Sequence, residues 1–165
     1  MAGEVSFDVV SDFDRQELVN ALDQVRREIA TRFDFKHAHV ELELGRETIA
    51  LLADDEYRVR SVRDLIESKA VRRGLSLKIF DWGDPKPAGG GRLRQEIGLR
   101  RGLSEELART IQKLIRDEFP RVRSQIQGDA VRVSAKSIDE LQKVIVRLRG
   151  ETERYPVPLQ FENYR

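Results

Sequence analysis

Apolar and polar residues alternate in a pattern that occurs twice along this chain of 165 residues. Segments with an apolar residue at every second position are typical of half-buried strands, and segments with apolar residues every three or four positions are typical of helices. Residues 6–81 run strand, helix, strand, strand, helix, strand, and residues 92–164 repeat that order. A repeat of this length indicates two copies of one small α+β unit, each with its own core.

The first copy opens on a strand and a helix. Val5, Phe7 and Val9 alternate with polar residues, and Asp14 precedes a helix that runs to about Arg32. Its apolar stripe consists of Leu18, Leu22, Val25, Ile29 and Phe33. A hairpin turning at Gly45 and a helix ending at Gly74 follow. The alternation of Leu75, Leu77 and Ile79 predicts the fourth strand of this copy.

The second copy carries the same signals. A strand with Leu93, Ile97 and Leu99 precedes a helix that Pro120 terminates, and a hairpin turns around Gly128. The run Ser137-Ile138-Asp139-Glu140 has the pattern of a capping box at the start of the next helix. We therefore expect an α+β fold, a tandem of two ferredoxin-like βαββαβ domains. Each would be a four-stranded antiparallel sheet with two helices on one face.

The predicted boundaries are residues 1–83 for the first domain and 92–165 for the second. Residues 84–91 are rich in glycine and proline, so we expect a mobile linker there. One alternative concerns the first strands of the two domains, residues 5–10 and 93–100. Because both show the same alternation, they could be exchanged between the two sheets, and the sequence does not distinguish the two arrangements.

The composition excludes some kinds of site and bears on where we expect the protein to act. The chain has no cysteine, which excludes disulfides and a thiolate zinc site. It opens without the basic and apolar regions of a signal peptide, and it has no apolar run of 18 residues, so we expect a cytoplasmic protein without a membrane association. Residues 1–83 carry a net charge of −4 and residues 84–165 a net charge of +5, consistent with the total of +1. A basic second half is typical of an anion-binding domain or of two domains that attract each other.

Cations concentrate at polar strand positions of the second copy. The five are Arg94, Arg100, Arg123, Arg132 and Lys136. These positions lie on the sheet face that the helices leave open, where acidic residues are sparse. Arginine is favoured where phosphate is bound through two parallel hydrogen bonds, so this pattern predicts anion or nucleotide binding. The alternative is an ordinary solvated sheet face.

The first copy offers aromatic residues. Phe80 and Trp82 are one strand period apart, and on an open face they could stack on nucleobases. The alternative is that they pack against the other domain. Trp82 is the better ligand candidate, because it is the only tryptophan and lies beside the predicted linker.

Other chemistry finds little support in the sequence. The third strands of both copies lack aromatic residues and the RNP1 signature, which disfavours standard single-stranded RNA readout on the sheets. His37 and His39 share one side of an extended segment, and we expect them to be a solvated pair rather than a metal site. We find no nucleophile paired with a base. The sequence therefore predicts no catalytic residues, no metal and no cofactor.

Several segments together resemble the YajQ family of bacterial proteins. They are residues 6–11, 27–36, 94–96, 125–133 and 158–165, in order along the whole chain. The resemblance implies a bacterial cytoplasmic protein of two ferredoxin-like domains that binds nucleotides or nucleic acid. Some members are described as receptors for cyclic di-GMP. One departure follows Phe33-Asp34-Phe35-Lys36, where we expect a glycine and this chain has His37-Ala38-His39.

These observations predict a non-enzymatic protein that binds a nucleotide, such as cyclic di-GMP or GTP, and acts through a protein or nucleic-acid partner. The nucleotide would lie between the basic second sheet and the aromatic edge of the first, with Arg94, Arg123, Arg132 and Lys136 on phosphates and Trp82 on a base. One alternative is an RNA-binding module whose affinity depends mainly on phosphate contacts. Another is a scaffold in which the charged faces only hold the two domains together.

Overall fold

A computed structural model describes residues 3–165 and contains four helices and nine strands in that range. The strands are β1 (Val5–Val10), β2 (Val40–Leu44), β3 (Thr48–Ala53), β4 (Phe80–Trp82), β5 (Lys86–Pro87), β6 (Leu93–Leu99), β7 (Arg123–Gln127), β8 (Ala130–Ala135) and β9 (Gln160–Glu162). The helices are α1 (Arg15–Thr31), α2 (Glu56–Arg72), α3 (Glu105–Glu118) and α4 (Ile138–Arg149). The α+β class and the two antiparallel sheets agree with the sequence prediction.

The chain forms two compact units that do not follow the contiguous halves of the sequence. One unit consists of the residues up to Asp12 together with Arg101–Arg165, and we call it the split unit. The other is Phe13–Arg100, which we call the inserted unit because it interrupts the split unit. The boundaries expected at residues 83 and 92 therefore do not separate the two units.

The pairing of β1 and β6 explains this division. β1 pairs antiparallel with β8 and β9, so the sheet of the split unit has the order β7-β8-β1-β9. β6 pairs with β3 and β4, which gives β2-β3-β6-β4 in the inserted unit, with the short β5 also on β6. Each first strand thus lies in the middle of the other copy's sheet. This is the exchanged arrangement that the alternation of the sequence left open.

Each unit has its own apolar core. The core of the split unit includes Phe7 and Val9 of β1, both fully buried, packed with residues of α3 and α4. The core of the inserted unit includes Ile97 of β6, also fully buried, packed with residues of α1 and α2. Both helices of a unit cover the same sheet face, which leaves the other face open and reproduces the ferredoxin-like layering.

Side-chain caps fix three helix starts. Asp14 accepts hydrogen bonds from the backbone N–H groups of Gln16 and Glu17, Asp55 caps α2, and Ser104 caps α3. The capping box predicted at Ser137 does not form, since the Ser137 side chain accepts no capping hydrogen bond. α4 still begins there because its apolar stripe packs into the core, which outweighs a missing cap.

The segment predicted as a linker lies within the inserted unit. Lys86 and Pro87 pair with Arg94 and Leu93, so the chain forms a hairpin rather than a connection between units. The N–H of Ala88 donates to the carbonyl of Arg92 at 2.7 Å and closes the loop. Gly90 and Gly91 have φ of +75° and +78°, a conformation that glycine adopts without steric cost. The glycines therefore serve a tight turn.

Candidate functional site

The exchange of strands divides the five predicted cations between the two units. Arg123, Arg132 and Lys136 belong to the split unit, and Arg94 and Arg100 belong to the inserted unit. The single basic sheet expected from the sequence is therefore not formed. The polar residues that β1 brings into the split unit, Ser6 and Asp8, take the place of Arg94 and its neighbours.

Two polar rows cross the open face of the split unit's sheet. In the first row, Arg123 lies opposite Ser134 in the strand register, and Ser134 lies opposite Ser6. Ser6 also exchanges backbone hydrogen bonds with Arg165. The second row is Gln125, Arg132, Asp8 and Glu162. Because strand side chains alternate, both rows point away from the helices. This face therefore presents guanidinium, hydroxyl, amide and carboxylate groups next to one another.

Asp8 holds Arg132 in place at the centre of this face. Its carboxylate is only 7% exposed and accepts from Arg132 Nε at 3.0 Å and from Asn163 Nδ2 at 2.9 Å. Burial acts to raise the pKa of Asp8, but the hydrogen bonds from Arg132 and Asn163 outweigh it, and the pKa lies below its ordinary value. Asp8 is thus ionised at neutral pH and fixes the orientation of the guanidinium.

The outer part of Arg132 is available to a ligand. Arg132 is half-buried and uses Nε on Asp8, and its two terminal nitrogens make no hydrogen bond within residues 3–165. Gln125 on the neighbouring strand is exposed and lies directly opposite Arg132. Arg123 is also exposed and forms an ion pair with Glu4, while Lys136 follows the end of β8 and has no ion pair among the described residues. Three cations are therefore grouped on one polar surface.

The open face of the inserted unit is of mixed charge. Arg94 and Lys86 lie directly opposite each other on β6 and β5, both exposed, and neither forms an ion pair in the described chain. Arg100 is engaged elsewhere: its guanidinium is 3.5 Å from Asp81 and donates to the carbonyl oxygens of Lys78 and Phe80. Arg100 thus supports the edge of the sheet, and Arg94 is the more accessible of the two predicted arginines.

The prediction that Phe80 and Trp82 face the open side of the sheet is wrong. Phe80 is 3% exposed and belongs to the core, and Trp82 packs against that core, 5.4 Å from Phe80 between ring centroids. The Arg63 guanidinium of α2 lies 4.5 Å from the centre of the Trp82 ring, on the helix side. The reason is a 3₁₀ turn at Leu77–Ile79, where a continuous strand was expected. The turn changes which side chains face inward.

No group of three or more metal-ligating side chains comes together in the part of the chain that the structure describes. His39 Nε2 lies 3.4 Å from Glu41 Oε1, and the two side chains are 40% and 57% exposed. His37 has φ of +64°, a conformation that favours glycine, at the position where the family resemblance led us to expect one.

The sequence reasoning missed the partners of Arg132. Asp8 was assigned to the first copy and Asn163 was not singled out, although both bind the arginine or its carboxylate partner. The signal that could have found them was the alternative of exchanged strands, because it places Asp8 opposite Arg132. The exposed Phe33 was likewise taken as part of the α1 stripe, and it lies beyond the end of that helix.

This is a two-unit α+β protein. One ferredoxin-like unit is inserted in the sequence of the other, and the split unit has a polar open sheet face. The protein's sequence matches the family model described as "Nucleotide-binding protein YajQ-like" over residues 5–165. It is 59% identical to a protein of Chloroflexus aggregans, 56% to one of Chloroflexus aurantiacus and 55% to one of Trichodesmium erythraeum. Each comparison covers the full length of both chains, and each relative is named a nucleotide-binding protein. The chain belongs to the YajQ-like family.

The helices also bear on membrane insertion. None of those described combines the length and the apolar character needed to span a lipid bilayer.

Proposed function

We propose that this protein is a nucleotide receptor that binds the phosphates of its ligand on the open sheet face of the split unit and catalyses no reaction. The relatives' names support nucleotide binding, and none of these names describes an enzyme. We propose a cyclic dinucleotide such as cyclic di-GMP as the ligand, in line with the family resemblance, with GTP as the comparison. The protein would act in the cytoplasm through a protein or nucleic-acid partner.

One observation carries the proposal. Arg132 is held through Nε by a carboxylate that is itself fixed by Asn163, and its two terminal nitrogens remain available. A guanidinium fixed in this way loses little side-chain entropy when it binds phosphate through two parallel hydrogen bonds.

The neighbouring groups extend the site. Gln125 lies opposite Arg132, so Arg123 is the diagonal neighbour of Arg132. The two Cα atoms are about 7–8 Å apart, within reach of two long side chains. Ser134 lies opposite Arg123 and two residues from Arg132 on β8, Ser6 lies opposite Ser134 on β1, and Lys136 adds a further cation after the end of β8. Such a set suits a ligand with two phosphates and hydroxyl groups better than a single small anion. Arg94 and Lys86 of the inserted unit form a second exposed cationic pair, and we propose it as a separate phosphate contact of that unit.

A receptor also has to change in response to its ligand. Ligand binding can shift the protein toward a partner-competent state only if it favours that state over the others. Phosphate would compete with Glu4 for the Arg123 guanidinium, whereas Arg132 can bind phosphate through its terminal nitrogens while it keeps Asp8 on Nε. Release of Arg123 from Glu4 is the local change that we propose accompanies binding.

We expect Arg132→Ala to weaken nucleotide binding about 10- to 150-fold, the equivalent of about 1.5–3 kcal/mol for a charged hydrogen-bonding group. The measurement is a titration of the full-length protein with fluorescently labelled cyclic di-GMP and with labelled GTP, at two salt concentrations. Arg132→Lys should recover only part of the affinity, because lysine keeps the charge but cannot bind through a planar fork.

The matched control for this prediction is Arg116→Ala on α3, an exposed arginine in a helix rather than on the sheet face. It should bind as the unmodified protein does. Thermal unfolding of both variants would show whether the fold is retained. If Arg132→Ala is folded and binds both nucleotides with unchanged affinity, the site does not lie on this face.

The RNA-binding alternative makes a different prediction for salt. A chain of phosphates that contacts several cations releases several counterions, so its affinity falls steeply as salt rises, whereas a dinucleotide with two phosphates shows a shallow dependence. A steep slope for RNA together with no measurable binding of either nucleotide would favour the RNA-binding module over the receptor.

The charge of Asp8 should appear in the pH dependence of stability. Its pKa is lower in the folded protein than the ordinary value of about 3.9, so its stabilising contribution is complete above about pH 4 and is lost as pH falls through the folded pKa. In chemical unfolding of the protein and of Asp8→Asn, the difference in free energy should stay constant between pH 5 and 7. It should shrink below about pH 4. A difference that is independent of pH down to 2.5 would mean that the carboxylate is not stabilised by Arg132.

A further inference from the structure

Phe33 is the most exposed large apolar residue that the structure describes. Its side chain is 88% exposed, in a short 3₁₀ turn at Phe33–Phe35 between α1 and β2. Phe35, two residues later in the same turn, is 5% exposed and packs in the core of the inserted unit. The turn thus anchors one phenylalanine and presents the other to solvent.

A single carboxylate organises this turn. Asp34 accepts from Arg32 Nε at 2.9 Å and Nη2 at 2.7 Å, and from the Tyr57 hydroxyl at 2.8 Å. The backbone carbonyl of Asp34 accepts from Arg58 at 3.2 Å, and the Arg32 guanidinium lies 5.3 Å from the Phe35 ring. Contacts to α2 therefore hold the turn in one conformation. The exposure of Phe33 follows from a defined structure and not from an unconstrained loop.

Tyr57 places a second ring beside the turn. It lies in the first turn of α2 and is 51% exposed, and its hydroxyl is bound to the residue that follows Phe33. Two cations lie near these rings in the chain: Lys36 directly after the 3₁₀ turn, and Arg60, which shares a helix face with Tyr57. Both are exposed, and neither takes part in an ion pair within residues 3–165.

The size of the apolar surface indicates the kind of partner. The other large exposed apolar residues of the inserted unit are Val71 and Leu77, which belong to the far end of α2 and to the turn after it. Two isolated rings do not make up the apolar area that a specific protein interface requires. A nucleobase needs only one ring face, and its phosphate needs a nearby cation.

We propose that Phe33 and Tyr57 form a stacking platform for the bases of a single-stranded nucleic acid, with Lys36 and Arg60 binding its phosphates. The four residues of this platform are not among those that we propose to bind the nucleotide. The two proposals can therefore be tested with different variants.

The test measures binding of a fluorescein-labelled 12-nucleotide RNA to the full-length protein. Phe33→Ala should weaken binding about 5- to 150-fold, the range for loss of one stacked base. Phe33→Trp should bind at least as tightly as the unmodified protein. Phe33→Leu should bind as weakly as the alanine variant, because leucine is apolar but cannot stack. Since Phe33 is outside the core, all three variants should unfold at the temperature of the unmodified protein.

Two further measurements complete the test. Replacing Lys36 and Arg60 by glutamine should reduce the slope of log affinity against log salt by about 0.7 for each phosphate that the protein no longer neutralises. Phe33→Ala should leave the binding of labelled cyclic di-GMP unchanged. RNA affinity that is equal in Phe33→Ala and the unmodified protein would overturn the proposal. Normal RNA binding by Phe33→Leu would also overturn it, because position 33 would then contribute without an aromatic ring to stack on a base.

Discussion

A fragment of residues 13–100 should fold by itself, whereas a fragment of residues 1–83 should not. The shorter fragment has both helices of the inserted unit but lacks β6, the strand that pairs with both β3 and β4 in the middle of the sheet. It also carries β1, whose partners β8 and β9 are missing from it. Residues 13–100 contain every residue of the inserted unit's core. Without a central strand, the remaining elements cannot bury that core.

Circular dichroism and denaturant titration of the two fragments provide the measurement. The 13–100 fragment should show a cooperative transition, and the 1–83 fragment should show none and should have little regular structure. A suitable control is 1–83 joined through a flexible linker to residues 92–100, which restores β6 and should recover folding. A cooperative transition in the 1–83 fragment alone would mean that β1 can replace β6, and the exchanged topology would then not be required for folding.

Phe7 lies in the first half of the sequence and Ile97 in the second. Replacing either residue should nevertheless destabilise the unit that the other half mainly forms. Phe7→Ala should lower the free energy of unfolding of the split unit by about 3–5 kcal/mol, and Ile97→Ala that of the inserted unit by about 2–5 kcal/mol. Both side chains are fully buried, so each change leaves a cavity. Phe7 also makes an edge-to-face contact with Phe161, at 5.8 Å between ring centroids. Losses of this size are a large fraction of the stability of a small domain.

Hydrogen exchange followed by mass spectrometry would locate each effect. Phe7→Ala should accelerate exchange in residues 101–165 and leave the amides of residues 13–100 protected, and Ile97→Ala should do the reverse. Val146→Ala and Val71→Ala are matched controls, because these side chains are 69% and 56% exposed on helices of the split and inserted units. Faster exchange confined to residues 13–100 in Phe7→Ala would contradict the pairing of β1 with β8.

The sequence predicted most elements of the fold because hydrophobic periodicity reports local burial directly. The helices and the two hairpins appear where the pattern places them, within a few residues. The fourth strand of the first copy was misplaced, since Leu77 continues the alternation although it lies in a 3₁₀ turn and is 39% exposed. Ser76 caps that turn through its side chain, a local hydrogen bond that periodicity does not reveal.

The candidate site was harder to predict because it depends on strand pairing. Arg132 and its accessibility follow from alternation within β8, but its carboxylate partner lies 124 residues earlier in the chain. Alternation is identical for a strand in either sheet, so it carries no information about which sheet receives the strand. Because of the same ambiguity, the sequence pattern placed Arg94 and Arg132 on one predicted sheet, although the two belong to different units. The exposure of Arg94, Arg123 and Lys136 was predictable, whereas the grouping of the five cations was not.

The discontinuity of the split unit also affects how the protein is made. Translation completes the inserted unit at Arg100, and that unit can fold while the remaining residues are still being synthesised. β1 emerges before the inserted unit but cannot pair with β8 until Ala130–Ala135 has followed. During that interval the sequence Val5–Val10 is a strand without neighbours, which is the kind of segment that chaperones protect from aggregation. The order of synthesis thus gives the inserted unit the earlier start, and β1, although it precedes that unit in the chain, is among the last segments to reach its final place.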